Sequence, residues 1–309
     1  MNVPPRFLSI GECMAELAPL ELVGDFRLGY AGDTFNTAWY LRRLRPDMHV
    51  AYHTAVGTDD LSTDMVRFMD NEGIGTTSIA RLPERSVGLY LISLKDGERS
   101  FSYWRDTSAA RRLADEEAVL FDAVNAADLI YFSGITLAIL SESARGKLFS
   151  ALRHARSQGK TIAFDPNLRP RLWSDVEQMK KTIMQGAGIC DIALPSFEDE
   201  ATHFADGNAK ATIQRYRGAG ASCVIVKNGR GAVHYSTSDG SGSIEVPELD
   251  SIVDTTAAGD SFNAGFFATI DQPLTIAERI SVANAVAGRV VGGRGALIRV
   301  RPTDLRRAH

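Results

Sequence analysis

An α/β fold built on a mostly parallel sheet is predicted by three features of this sequence. Short apolar runs alternate with longer amphipathic stretches, the rhythm of βα units. The 309 residues suffice for about two domains or one large α/β domain, and either would bury a sizeable core. An apolar fraction of 44% beside 23% charged residues excludes disordered, collagen-like and coiled-coil classes as the main content.

Taken in order, residues 7–11 read as the first strand. Residues 50–56, 128–132, 161–165, 191–194 and 223–227 read as later ones. Between them, helices are predicted over 33–44, 60–71, 141–157 and 175–185. In the third, Ala144, Leu148, Ala151, Leu152 and Ala155 recur at helical spacing and would face the sheet. Two β-rich segments, 87–94 and 99–104, break the rhythm and are joined by Lys95-Asp96-Gly97-Glu98, whose Asp-Gly pair is a hairpin signal. With residues 15–30 they would make a small inserted β-sheet, a lid formed by about 14–31 and 86–106. On pattern alone an ordinary edge hairpin fits equally well. Residues 236–243 read as a hairpin tip, and neither an internal repeat nor a clean interdomain boundary is visible.

Charge and cysteine content narrow the function classes. With 34 basic against 38 acidic side chains the net charge is −4, which argues against a nucleic-acid binder. It does not exclude a local anion site, because backbone amides bind phosphate without net positive charge. A mean hydropathy of −0.10, and the lack of an apolar run of about 18 residues, argue against a membrane span. The apolar run after Arg6 is too short for the hydrophobic region of a signal peptide, so no secretory signal is visible. Cys13, Cys190 and Cys223 are odd in number and far apart, so neither a disulfide framework nor a thiolate zinc site is expected, and a cytoplasmic location is.

The segment that carries chemistry is Asp254-Thr255-Thr256-Ala257-Ala258-Gly259-Asp260-Ser261-Phe262-Asn263-Ala264-Gly265. Small residues at Ala257, Ala258 and Gly259 let a backbone turn approach a ligand closely. A helix starting there would aim its free N–H groups and positive dipole end at one spot, an anion hole suited to phosphoryl transfer. Asp260, in its first turn, cannot ligate phosphate but can accept a proton from an attacking hydroxyl. A plain N-capped helix after a small-residue turn is the competing explanation. Other phosphate motifs fail: no G-x-G-x-x-G exists, and Gly159-Lys160-Thr161 precedes a strand and lacks the first glycine of a P-loop.

This segment resembles the C-terminal signature of the ribokinase-like (PfkB) carbohydrate kinases. Gly32-Asp33-Thr34-Phe35-Asn36-Thr37-Ala38 resembles their sugar-binding motif, and Asn284-Ala285-Val286-Ala287-Gly288 their closing nucleotide-side helix. Gly11-Glu12-Cys13-Met14-Ala15-Glu16-Leu17, Tyr103-x-Arg105 and Phe164-Asp165-Pro166-Asn167-Leu168-Arg169 are similar to the branch acting on 2-keto-3-deoxygluconate. The resemblance spans nearly the whole chain, 1–309, as one kinase domain. It implies a three-layer α/β/α body with a β lid, ATP as donor, Mg²⁺ accompanying it, and a monovalent cation such as K⁺ near Asp254. It makes Asp260 the catalytic base, with Ala257, Ala258 and Gly259 as the anion hole. Gly32, Asp33, Asn36, Tyr90, Tyr103, Arg105 and Arg169 would bind substrate, and Ser196, Lys227, Gly229, Gly231, Ala258, Gly259 and Asn284 the nucleotide. Ser196 and Asp199 depart from the family's Asn-x-x-Glu pattern for Mg²⁺ and phosphate.

Tyr103 and Arg105 share a strand face by alternation, and an aromatic beside a guanidinium suits a sugar acid better than a neutral sugar. Together with the resemblance, this makes the expected activity ATP-dependent phosphorylation of a sugar acid, 2-keto-3-deoxygluconate to its 6-phosphate, with no nucleic-acid or membrane partner. A fructokinase, another PfkB sugar kinase and a non-catalytic sugar or nucleotide sensor are the alternatives. An exposed β lid is also a natural edge for pairing with a second chain, so a homo-oligomer is expected.

Overall fold

The computed structural model describes residues 3–22, 24–95, 98–249 and 251–306. Strand β1 (Phe7–Ile10) leads into β2 (Met14–Pro19), β3 (Phe26–Ala31) and helix α1 (Asp33–Leu44). Next come β4 (Val50–His53), β5 (Ala55–Val56), α2 (Asp60–Asn71) and β6 (Ala80–Arg81). The pair β7 (Leu89–Lys95) and β8 (Glu98–Trp104) precedes α3 (Glu117–Ala126), β9 (Leu129–Ser133), α4 (Gly134–Ile139) and α5 (Glu142–Ser157). The alternation continues through β10 (Thr161–Asp165), α6 (Val176–Ala187), β11 (Ile192–Ala193), α7 (Phe197–Phe204), α8 (Ala209–Ala219) and β12 (Cys223–Val226). A hairpin of β13 (Val233–Ser236) and β14 (Ser241–Ile244), then α9 (Ala258–Phe267) and α10 (Ile276–Val291), complete the main elements.

Helices α1 and α2 occupy the predicted residues. Helix α5 starts one residue later than predicted because Ser141 caps it, its Oγ accepting the Ala144 N–H at 3.2 Å. Asp175 does the same for α6, which runs on to Ala187. The predicted strand 50–56 is in fact two. The chain leaves the main sheet at Thr54, whose carbonyl accepts the Ala80 N–H at 3.1 Å, and β5 pairs with β6 in a sheet of their own. Asp128 and Asp191 fall just outside β9 and β11, and each takes a backbone N–H of a neighbouring segment on its carboxylate.

The main sheet has the order β14-β13-β12-β11-β10-β9-β1-β4, parallel from β12 to β4 and antiparallel at β13 and β14. Alternate strand residues feed two apolar cores, one around Ile10, Phe132 and Phe164 and the other around Phe7, Tyr131 and Ile225. The result is a three-layer α/β/α body. Strand order reverses at β1, with β4 on one side and β9 to β12 on the other. Ligands in such sheets bind at the crevice outside the carboxyl ends of these strands.

A second sheet, β3-β2-β7-β8, carries Tyr90 opposite both Glu16 and Tyr103. Its Asp96-Gly97 hairpin signal lies outside the described residues.

Candidate active site

Two helix N-termini meet at the crevice. Gly32 caps α1 without a side chain, and a Cβ there would lie 2.1 Å from the Glu12 carbonyl oxygen, so only glycine lets α1 start this close to the end of β1. Asp33 is therefore the first helical residue and not the cap. Helix α9 begins at Ala258 after Ala257, which holds the left-handed conformation (φ 60°, ψ 16°) that glycine normally takes. No side chain caps this helix, so its dipole end faces the cleft without a carboxylate or hydroxyl of its own at the N-cap. Of the three amides expected to line the anion hole, that of Ala258 closes the turn onto the Thr255 carbonyl at 3.2 Å.

Asp260 stands in the first turn of α9 and keeps part of its surface open. Asn36 Nδ2 donates to its Oδ2 at 2.8 Å, and the Thr37 hydroxyl reaches the carbonyls of both Asp33 and Asp260 at 3.2 Å. Its pKa is pushed up to about 8, first by burial and then by the negative charges of Asp33 and Asp165; the Asn36 hydrogen bond and the Lys227 charge pull the other way. A carboxyl with that pKa is a base matched to near-neutral operation.

Residues for which the sequence suggested no role tie the site together. Asp165, at the end of β10, accepts Lys227 Nζ at 2.7 Å and Asn263 Nδ2 at 2.7 Å, both on Oδ2. Asn263 also donates to the Tyr131 hydroxyl at 3.1 Å, and its Oδ1 accepts Lys227 Nζ at 3.3 Å. A Cβ on Gly259 would sit 3.6 Å from that ammonium, so Lys227 lies beside the candidate anion hole. Asn167, held at φ 33°, donates its backbone N–H to Asp165 (3.1 Å) and its side-chain amide to Asp33 (2.8 Å). One readable signal was available for Asn263: it follows Asp260 by three residues, so the two share a helix face.

On the second sheet, the Tyr90 hydroxyl bonds to Glu16, and its ring lies 5.8 Å from that of Tyr103. Burial, then the Glu16 charge, pushes the Tyr90 phenol well above its usual range. Tyr103 is half exposed, whereas Arg105 is buried and pairs with Glu12, its guanidinium 5.9 Å from the centre of the Tyr103 ring. Arg105 falls just past the end of β8, so strand alternation does not place it beside Tyr103, and it already has a carboxylate partner.

A pfkB family carbohydrate kinase model matches residues 5–303. The chain belongs to this family. It is 37% identical over 298 residues to the 2-dehydro-3-deoxygluconokinase of Dickeya dadantii, covering 94% of this chain and 95% of that one. The enzyme of the same name from Escherichia coli K12 is also 37% identical, with 94% and 96% covered. Among solved structures, a PfkB protein from Polaromonas sp. JS666 superposes with a TM-score of 0.81 at 26% identity, covering 94% of this chain and 96% of that one.

In this PfkB kinase the remaining candidate residues are held by contacts of their own. Ser196 precedes α7 and bridges in parallel to Lys227, whose carbonyl accepts the Phe197 N–H at 2.8 Å. Gly229, at φ 55°, and Gly231 form the turn after β12. Arg169 faces Asp199 at 3.6 Å, and burial raises the Asp199 pKa while the Arg169 charge opposes it. Asn284 is buried on α10, and its side-chain nitrogen has no partner among the described residues. Asp254 braces the turn ahead of α9, accepting Thr256 N (3.1 Å) and Oγ1 (2.7 Å) on one oxygen and Gly295 N (2.7 Å) on the other. No group of three or more His, Cys, Asp or Glu side chains among the described residues is arranged to hold a metal. That fits Mg²⁺ only as an ion carried mainly by nucleotide phosphates and water, with one or two protein carboxylates.

Proposed function

We propose that this carbohydrate kinase transfers the γ-phosphoryl group of ATP to the 6-hydroxyl of 2-dehydro-3-deoxygluconate. The relatives of that name, similar over almost their whole length, support the substrate. The observation that carries the chemistry is the junction of α1 and α9, where Asp260 is bonded to Asn36 and lies in the same charged cluster as Lys227.

In this mechanism the deprotonated Asp260 accepts the proton of the attacking hydroxyl, which then forms the bond to phosphorus as the bond to the leaving diphosphate oxygen breaks. Asn36 orients the carboxylate, and Asp33 and Asn167 fix the sugar side of the crevice. The start of α9 and the Lys227 ammonium, anchored by Asp165 and Asn263, neutralise the charge that develops on the transferred group. Mg²⁺, when bound with the nucleotide, would supply further charge neutralisation, and Asp165 and Asp199 would be the carboxylates to assist it. A monovalent cation beside the turn braced by Asp254 belongs to the same proposal. Gly229, Gly231, Ser196 and Asn284 are assigned to the nucleotide side, and Tyr90, Tyr103, Arg105 and Arg169 to the sugar acid.

The second sheet would act as a lid within one kinase domain of 1–309. Its face opposite Tyr90 exposes Phe26, Leu28 and Trp104, which suits pairing with a second copy in a cytoplasmic homodimer. No helix among the described residues is long and apolar enough to cross a membrane.

A coupled assay of ADP release over a panel of keto-acids and neutral sugars tests the reading. Preference for 2-dehydro-3-deoxygluconate is expected. Fastest turnover with fructose, or ligand-induced stabilisation without any turnover, would refute it.

A further inference from the structure

Buried ion pairs are poor sources of stability, because the desolvation of two charges offsets most of their attraction. The pair between Glu12 and Arg105 is therefore informative. Glu12 is 1% exposed and Arg105 8%. Neither Glu12 Oε1 nor Arg105 Nε finds a hydrogen-bond partner among the described residues, so the pair keeps an acceptor and a donor unfilled. Glycine at position 88 makes room for it, since a Cβ there would lie 2.8 Å from Glu12 Oε1 and 3.3 Å from the Arg105 Cβ. The side chain is thus accommodated at the expense of packing.

Its place in the fold connects it to the crevice. Glu12 lies two residues beyond β1, and its carbonyl is the atom against which Gly32 and the start of α1 are packed. Its carboxylate reaches the other way, to the residue just past the end of β8. The Arg105 guanidinium is held between that carboxylate and the half-exposed Tyr103 ring. A free arginine side chain carries rotamer entropy that a ligand would otherwise have to freeze on binding.

We infer that Glu12 is a positioning residue for acid-substrate selection: it presets the Arg105 guanidinium, acting through Arg105 and not on the reacting atoms. The inference rests on the assignment of Arg105 to the sugar acid made above. It commits Glu12, an acidic residue beside a site for an acidic substrate, to a favourable role there. A negative charge so close would otherwise repel the substrate; paired with Arg105, it leaves a neutral couple with spare hydrogen-bonding capacity.

The test is steady-state kinetics of the full chain with ATP and 2-dehydro-3-deoxygluconate for Arg105→Ala, Glu12→Gln, Glu12→Asp and the Arg105→Ala/Glu12→Gln double variant. Glu12→Gln should raise KM for the keto-acid about tenfold, move KM for ATP less than twofold, and add nothing in the Arg105→Ala background. Glu12→Asp keeps the charge, and so protects the fold, but draws the guanidinium back; it should raise the keto-acid KM several-fold, and it decides the matter if Glu12→Gln does not fold. If Arg105→Ala raises the keto-acid KM while both Glu12 variants leave it within twofold, the proposal fails and the substrate assignment stands. If Arg105→Ala has no effect on that KM, the assignment of Arg105 fails and takes the proposal with it. Parallel losses in kcat and both KM values, or additive effects in the double variant, would mark Glu12 as merely structural and overturn the inference.

Discussion

Asn36 donates a 2.8 Å hydrogen bond to the carboxylate of Asp260 across 224 residues of sequence. The contact joins the first turns of α1 and α9, so the base is oriented by the helix that opens the sugar side. If Asp260 accepts the substrate proton, Asp260→Asn should lower kcat by about 10² or more while ATP binding stays near wild type. Single-turnover kinetics and nucleotide titration check this together. Turnover near wild type would refute the assignment of the base.

The raised pKa of Asp260 predicts a pH dependence. Only the deprotonated form can take a proton, so kcat/KM should rise with pH and level off above about 8, with no such limb in Asp260→Asn. Stability should move the opposite way. The folded carboxyl keeps its proton up to about 8 while the unfolded one loses it near 3.8, so this group's contribution is fully present below 3.8 and is lost as pH rises through 8. Asp260→Asn should therefore melt a few degrees higher than wild type at pH 9, and the gap should close at pH 4. Thermal unfolding at both pH values is the measurement.

Lys227 lies beside Gly259 and is held by Asp165 and Asn263. Lys227→Met should reduce kcat by roughly 10²-fold, the scale seen on removing one electrostatic stabiliser of a developing charge. Asp165→Asn should have a smaller effect alone and almost none in the Lys227→Met background, because the two act as a unit. Additive losses in the double variant would separate them.

Gly32→Ala tests the geometry of the sugar side. The new methyl would meet the Glu12 carbonyl at 2.1 Å, and a backbone atom cannot swing aside. The start of α1 should shift, costing about 1–3 kcal/mol of stability, with the sugar-acid KM raised more than that for ATP. Denaturant unfolding and initial rates measure both.

Much of this protein was legible in its sequence. The βα rhythm placed helices α1 and α2 to the residue, because amphipathic spacing and flanking turns are local properties. Small residues at 257–259 followed by Asp260 pointed to an anion-binding helix start for the same reason. Local pattern could not show that residues 50–56 divide between two sheets, since the break at Thr54 depends on a partner strand at 80–81. Nor could it assign Asp165, Asn167, Asn263 and Glu12. Each has its meaning only through a residue far along the chain: Lys227, Asp33, Asp165 and Arg105 respectively. Local pattern was enough for the first and longest βα units and for the small-residue turn before Asp260. Tertiary structure decided which charges face one another, because burial and distance set both the pKa of Asp260 and the orientation of Arg105.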